Sequence, residues 1–293
     1  MKPSAFGYHA PRGVGDALDI LGTLAGSGAK VLAGGQSLIP MLNMRLAAPP
    51  HLVDINRLTE LDTVEVSRDG VRVGALARHT RLLRSDDAAR AQPLLRMALR
   101  HVAHPVVRNR GTVVGSLAHA DPAAELPAVL ALLAGRVEVA SAARRRTLTA
   151  AEFFAGPLEP ALEPGELAVS AFFPALPAHG GTAFAEIARR HGDYALVGVA
   201  AVVVLDDDLR VRSARAGYLS VADTPLVLDL TEEVDRRTPE SCDWAAVAAH
   251  AASRVDPGED IHAGADYRRH LAGVLTERVL RAAAANALQR GAS

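Results

Sequence analysis

The feature that constrains the fold most is an apolar run at 195–205, Ala-Leu-Val-Gly-Val-Ala-Ala-Val-Val-Val-Leu. It is about half as long as the roughly 20 residues that a membrane-spanning helix requires, and we interpret it as a long buried strand. The acidic turn Asp206-Asp207-Asp208 joins it to a second predicted strand at 209–219. Further predicted elements are a strand at 182–188 and helices near 239–254 and 267–285. This order of elements predicts an antiparallel sheet packed with helices.

The first half of the chain has a different pattern of shorter elements. Predicted strands at 61–66 and 71–76 flank Asp69-Gly70, which is a strong hairpin signal. The Pro- and Gly-rich segments 156–165 and 174–181 are the linker candidates. Because 293 residues suffice for two cores, we expect two domains, at 1–176 and 177–293. The other predicted elements of this half are strands at 31–33, 51–55, 137–140 and near 147, and helices from about 15, near 80–85, at 92–103, 125–133 and 150–155.

A glycine turn lies between a predicted strand and a predicted helix, in the sequence Ala33-Gly34-Gly35-Gln36-Ser37. Adjacent glycines allow positive φ and a close approach of the main chain to a ligand. The N–H groups of such a turn, and of the helix after it, suit an anion such as a phosphate. A plain strand-to-helix connection explains the same residues, and local sequence does not separate the two interpretations.

A second segment of small residues, 112–116, offers main-chain N–H donors in the same way. Two such loops fit a ligand with two phosphates, although a buried crossover between packed layers fits them equally. Glu125, at the start of a predicted helix, matches the helix dipole or accepts hydrogen bonds from sugar-like hydroxyls. Tyr194 ends the charged loop 189–194 and either faces a planar ring or is an ordinary boundary tyrosine.

Composition excludes several classes of function. The formal net charge of −1 gives no bulk attraction to nucleic acid, and no Rossmann glycine motif or P-loop is present. A single cysteine, Cys242, excludes an internal disulfide and any iron–sulfur or zinc site built on cysteine within this chain. Without a secretory signal in the sequence given, or an apolar span of membrane length, we expect a cytoplasmic protein.

Metal binding and hydrolysis have weaker support. His101, His104, His119 and Asp121 are close in sequence, but Pro105 ends the preceding helix and no ligand-rich segment completes a metal shell. No Gly-x-Ser-x-Gly elbow accompanies Ser37 or Ser116.

Five motifs in order carry a resemblance to a known family. The chain resembles the FAD-binding medium subunit of molybdenum hydroxylases, the aerobic carbon monoxide dehydrogenase and xanthine dehydrogenase group, from Phe6 to the last helix. The motifs are Ala33-Gly-Gly-Gln-Ser37, Arg108-Asn-Arg-Gly-Thr112, Gly115-Ser-Leu-Ala-His-Ala-Asp-Pro-Ala-Ala-Glu125, Arg190-His-Gly-Asp-Tyr194, and Asp260-Ile-His with Tyr267-Arg-Arg-His-Leu271.

The resemblance implies an α+β fold. Its N-terminal FAD-binding domain has two α/β lobes, about 1–55 and 56–176, of the vanillyl-alcohol-oxidase type. Its C-terminal domain, 177–293, is an antiparallel sheet packed with helices.

The resemblance also implies the FAD site. The segment 33–37 wraps the pyrophosphate through N–H groups, the segment 112–116 forms a second pyrophosphate loop, and Tyr194 covers the isoalloxazine ring. Val114 stands where the family usually has the first of two glycines. This departure leaves open whether the second loop binds the pyrophosphate as closely as the first. No catalytic residue of the protein is required, because the flavin carries the chemistry. The expected FAD contacts are Lys30, Val31, Ala33, Gly34, Gly35, Gln36, Ser37, Leu38, Thr112, Gly115, Ser116, Ala118, Glu125 and Tyr194.

The function implied is electron transfer. A large subunit with a molybdenum cofactor oxidises substrate, and a small subunit with two [2Fe–2S] clusters passes electrons to this FAD and on to quinone, oxygen or NAD. The expected assembly is a dimer of heterotrimers. The alternatives are a stand-alone or FAD-deficient flavoprotein of the same fold, and a non-catalytic binding module for another phosphate ligand.

Overall fold

The computed structural model describes residues 2–234 and 236–291. The first lobe is a three-stranded parallel sheet in the order β1-β3-β2, with a helix between each pair of consecutive strands. The buried positions Ala17, Leu18 and Leu21 share one face of the first helix, which packs against β3. The elements are β1 (Gly7–His9), α1 (Val14–Thr23), β2 (Lys30–Leu32), α2 (Leu38–Asn43) and β3 (His51–Asp54).

The second lobe is a five-stranded sheet in the order β4-β5-β10-β6-β7, and all its neighbouring strands are antiparallel. Its strands are β4 (Val64–Ser67), β5 (Gly70–Gly74), β6 (Arg136–Ala140), β7 (Arg145–Thr149) and β10 (Leu167–Pro174). Its helices are α3 (His79–Arg84), α4 (Asp86–Ala91), α5 (Pro93–Leu99), α6 (Pro105–Arg108), α7 (Val113–His119), α8 (Glu125–Leu132) and α9 (Ala150–Phe153).

Two features of this lobe differ from the sequence prediction. The central strand β10 was not predicted, and most of its residues are buried. The linker candidate 156–165 is wrong, because β8 (Phe154–Gly156) pairs with β9 (Glu159–Pro160) and Leu158 N donates to Ala120 O at 2.9 Å. These pairings hold the segment inside the lobe. The other candidate, 174–181, connects the end of β10 to the next sheet.

The C-terminal part contains a four-stranded antiparallel sheet in chain order. The predicted strand at 195–205 has the predicted limits, and the last strand, β14, was not predicted. With the two preceding lobes, this sheet confirms the predicted α+β fold class. The elements are β11 (Gly180–Ala188), β12 (Ala195–Leu205), β13 (Val211–Leu219), β14 (Leu226–Asp229), α10 (Thr231–Val234), α11 (Trp244–Ser253) and α12 (Ala265–Gly291).

The two faces of this sheet pack against different layers. Helix α12 covers one face, where the hydroxyls of Tyr218 and Thr276 lie 2.9 Å apart in the core. The other face contacts α5 and α8 of the preceding domain, and Gly217 allows a close approach to Leu132. The sheet therefore joins its own helices to the FAD-binding half of the chain. None of the helices in the described part of the chain has the length and apolarity needed to cross a bilayer.

Replacing Gly181 with alanine should destabilise the C-terminal layer. A Cβ at this position would lie 2.0 Å from Ala283 O and 2.3 Å from Ala287 N, so α12 would have to move off the sheet. We expect a loss of about 1–3 kcal/mol in the free energy of unfolding, measured by urea denaturation. The matched control is Gly258→Ala, because nothing lies within 4 Å of a Cβ placed there. Equal stability of the two variants would contradict this packing.

Candidate cofactor site

The turn after β2 has a run of unpaired main-chain donors. The chain turns at Gly35, whose φ is 73°, a left-handed conformation that glycine adopts without strain. Gln36 Nε2 donates to Gly34 O at 3.1 Å and holds the turn. Among the residues that the structure describes, none of the main-chain N–H groups of 34–38 donates a hydrogen bond. Five successive free donors at the start of α2 form an arrangement suited to an anion.

Arg110 and Gly111, which directly precede the second segment, lie against this turn. A Cβ on Gly34 would lie 2.5 Å from Arg110 O and 2.7 Å from Gly111 Cα. No side chain fits between the two main chains, so glycine is required at position 34. The structure thus brings the glycine turn against residues 110–111, which directly precede the second small-residue segment.

A polar bridge also ties the two segments. Asn56 Nδ2 donates to Ala33 O at 2.8 Å, and its Oδ1 accepts from Arg78 Nη2 at 2.7 Å. The Arg78 guanidinium also donates to Arg110 O. Sequence reasoning missed Asn56 and Arg78, because neither lies in a recognisable motif and only the fold makes them neighbours.

The segment 112–116 is not the open loop that was predicted. Helix α7 begins at Val113, and the Thr112 hydroxyl caps it by accepting from Gly115 N at 3.1 Å. Ser116 N donates to Thr112 O at 3.0 Å. The N–H groups of Gly115 and Ser116 are therefore already bonded within the protein, and the predicted symmetry between the two loops is wrong.

Val114 does not face the turn. Its side chain is buried in the core of the FAD-binding half, with 2% exposed, so its bulk is accommodated by packing.

Gly111, which lies against Gly34, also packs against His79. A Cβ added on Gly111 would lie 3.1 Å from His79 Nδ1. Burial lowers the pKa of His79 to about 4, which leaves this imidazole neutral at physiological pH.

The predicted polar contact Glu125 lies at the first position of α8. Burial, together with the nearby carboxylate of Glu186 on β11, raises the pKa of Glu125 to about 8. A carboxyl group with such a pKa is mostly protonated near neutral pH. It can then donate a hydrogen bond as well as accept one.

Tyr194, in the C-terminal domain, lies close to Asp121 and Glu125. Its ring is 63% exposed, yet desolvation of its hydroxyl, with the carboxylates of Asp121 and Glu125, raises its pKa. The loop before it packs on the N-terminal domain, since a Cβ on Gly192 would lie 2.6 Å from His104 Cε1. The structure thus places an exposed aromatic ring beside Glu125.

Two of the histidines that suggested a metal site, His101 and His119, each lie beside a single carboxylate. His101 Nδ1 lies 3.3 Å from Glu186 Oε1, and His119 Nε2 lies 4.0 Å from Asp121 Oδ2. In residues 2–234 and 236–291, no group of three or more metal-ligating side chains is assembled.

The remaining predicted contacts line the two segments. Leu38 is the first residue of α2, and Ser116 and Ala118 lie half-buried on α7. Lys30 and Val31 lie in β2, and Lys30 is at the end of that strand away from the glycine turn. The predicted contacts therefore extend from the first lobe, through α7, to the start of α8 and Tyr194.

Sequence profiles of two families match the chain in succession. The family described as FAD binding domain in molybdopterin dehydrogenase matches residues 4–176. The CO dehydrogenase flavoprotein C-terminal domain matches residues 182–283. The chain belongs to the FAD-binding medium subunits of molybdenum hydroxylases. The family predicted from the sequence is confirmed.

Relatives of this family are similar along nearly the whole chain. The 6-hydroxypseudooxynicotine dehydrogenase complex subunit alpha of Paenarthrobacter nicotinovorans is 40% identical over 96% of this chain and 95% of its own. The carbon monoxide dehydrogenase medium chain of Hydrogenophaga pseudoflava is 38% identical over 97% and 98%. Among solved structures, quinoline 2-oxidoreductase from Pseudomonas putida 86 has a TM-score of 0.91 and 36% identity, over 98% of this chain and 100% of that one.

The chain is thus an oxidoreductase subunit with FAD as its cofactor, and the geometry fits that group. The free N–H groups of 34–38 suit the pyrophosphate, which carries two negative charges. The protonated Glu125 suits hydroxyl groups, and the exposed Tyr194 ring suits a planar ring system.

The buried Glu125 should make stability depend on pH. Because its pKa is raised to about 8, the folded chain holds a proton that the unfolded chain releases above its usual pKa of 4.5. Stability therefore falls as pH rises from about 4.5 to about 8. Relative to the wild type, Glu125→Gln should gain on the order of 3 kcal/mol between about pH 5.5 and about pH 8.5.

Urea denaturation of the FAD-free chain at several pH values measures this effect. The control is Glu259→Gln, which replaces an exposed carboxylate. A Glu125→Gln variant whose stability difference from the wild type is constant with pH would contradict the raised pKa.

Proposed function

We propose that the chain is the FAD-carrying electron-transfer subunit of a molybdenum hydroxylase complex. In this proposal, electrons come from the [2Fe–2S] clusters of a partner and leave through FAD to an external acceptor. The observation that carries the proposal is the run of unpaired N–H donors at 34–38, closed on one side by Gly111. FAD, when bound, supplies the redox chemistry, and the protein supplies binding, orientation and shielding from water.

The residues of the chain divide these tasks. The N–H groups of 34–38 bind the pyrophosphate, and the Asn56–Arg78 bridge keeps the glycine turn at a fixed distance from 110–111. Glu125 holds its proton on the carboxyl group and exchanges hydrogen bonds with the hydroxyls of the ribityl chain. Tyr194 covers one face of the flavin ring and excludes water from it.

The composition of the chain supports partner subunits. Its only cysteine, Cys242, is buried in the C-terminal core, so the iron–sulfur clusters have to be held elsewhere. The relatives named as a medium chain and as one subunit of a complex support the same conclusion. We therefore propose a large molybdenum subunit and a small [2Fe–2S] subunit as partners, in a dimer of heterotrimers.

We also propose the domain limits 1–176 and 177–293. The profile matches at 4–176 and 182–283 support this division, as does the change of sheet between Pro174 and Gly180. The individual FAD contacts and a cytoplasmic location stay predictions from the sequence.

Replacing Gly34 with alanine should weaken FAD binding. The new methyl group would push the turn away from Arg110 and Gly111 and misplace the donors of 34–38. We expect FAD affinity to fall at least about tenfold, which corresponds to about 1.4 kcal/mol. The measurement is the visible flavin spectrum of the purified chain, titrated with FAD.

The matched control is Gly22→Ala in α1, where nothing lies within 4 Å of an added Cβ. Full FAD retention by Gly34→Ala would overturn this site. A wild-type chain that purifies without molybdenum- and iron-containing partners from its native host would overturn the proposed assembly.

A further inference from the structure

The C-terminal motif at 260–271 contains a buried charge. The Arg268 side chain is 9% exposed and lies in α12. Its Nη2 donates to Asp260 Oδ2 at 2.7 Å, and its Nη1 donates to Leu196 O at 2.7 Å and Ser220 O at 3.3 Å. Burying a guanidinium destabilises the fold unless the group is paired. Here its hydrogen bonds link helix α12 to the sheet.

This guanidinium holds the chain just beyond Tyr194. Leu196 is the second residue of β12, which begins directly after Tyr194. The preceding carbonyl, Ala195 O, accepts from Ser220 Oγ at 2.7 Å. One end of the loop 189–194 is therefore fixed by bonds to Arg268 and Ser220.

The other end of the loop is held through Asp260. Asp260 Oδ1 accepts from His262 N at 2.8 Å and from Ala263 N at 3.0 Å, which fixes the turn that carries His262. The His262 ring then lies with Nδ1 3.0 Å from Arg189 Nη1. Since arginine has only donors, Nδ1 is the acceptor in this bond. Arg189 is the first residue after β11.

We propose that Arg268, Asp260 and His262 form a clamp that holds both ends of the loop 189–194 and thereby positions Tyr194. The clamp acts on Tyr194 and not on the reacting atoms, so these three are positioning residues. That Tyr194 covers the flavin rests on the proposed function, whereas the clamp itself rests only on bonds within this chain. Ile261, between two members of the clamp, is 95% exposed and is not needed for it.

The test uses the full chain with and without FAD. His262→Ala removes the contact to Arg189, and because His262 is exposed, the fold should survive. Ile261→Ala is the matched control at the neighbouring exposed position. In the FAD-free chain, chymotrypsin cleavage after Tyr194 should become at least about fivefold faster in His262→Ala and stay unchanged in Ile261→Ala.

A double-mutant cycle identifies the bond responsible. Arg189→Ala should accelerate cleavage as His262→Ala does, and the double variant should cleave no faster than either single variant. Additive effects, or unchanged cleavage in His262→Ala, would overturn the clamp whether or not the chain binds FAD.

A flavin readout tests the positioning role. With FAD bound, His262→Ala should raise the fluorescence of the bound flavin, because the quenching ring of Tyr194 is no longer held in place, at unchanged FAD stoichiometry. Faster cleavage with unchanged fluorescence would show a purely structural clamp and overturn the role in positioning Tyr194. A wild-type chain that binds no FAD would refute the proposed function, while the cleavage rates would still decide on the clamp.

Discussion

The contact on which the site depends is that of one main chain with another, at Gly34 and 110–111. Two lobes with separate sheets meet there, and a side chain at position 34 would keep them apart. The Asn56–Arg78 bridge satisfies carbonyls on both sides of this contact, at Ala33 and Arg110. It leaves the N–H groups of 34–38 free. Carbonyls paired and N–H groups unpaired are what a polyanion requires from a main chain.

A second constraint arises where the C-terminal sheet packs on the FAD-binding half. Glu125, Glu186 and Asp121 lie close enough for their charges to interact. Burial and repulsion by the other two carboxylates both disfavour the ionised form of Glu125. Holding a proton on Glu125 relieves part of this repulsion. The interface between the domains thus contains these polar groups and also an apolar cluster of Ala128, Ala195 and Leu219.

Much of this architecture could be predicted from local sequence. The strand at 195–205 and the hairpin at Asp69-Gly70 followed from patterning and turn chemistry, because both depend on neighbours in the chain. The strand β10 did not, because it is buried among strands distant in sequence and lacks alternation. The roles of Asn56 and Arg78 were not predicted, for the same reason. Their role exists only after two lobes are folded together, and no spacing along the chain encodes it.

The segments 34–38 and 112–116 differ because the Thr112 hydroxyl caps helix α7. Thr112 and Gly115 belong together, since a Cβ on Gly115 would lie 2.4 Å from the Thr112 hydroxyl that caps α7. Glycine at 115 therefore serves the start of the helix, and Val114 can be large because it points into the core. The segment 112–116 contributes mainly a fixed wall and the positive end of a helix. In the proposed site, the direct donors to the pyrophosphate come from 34–38, and losing them should not be compensated from the segment 112–116.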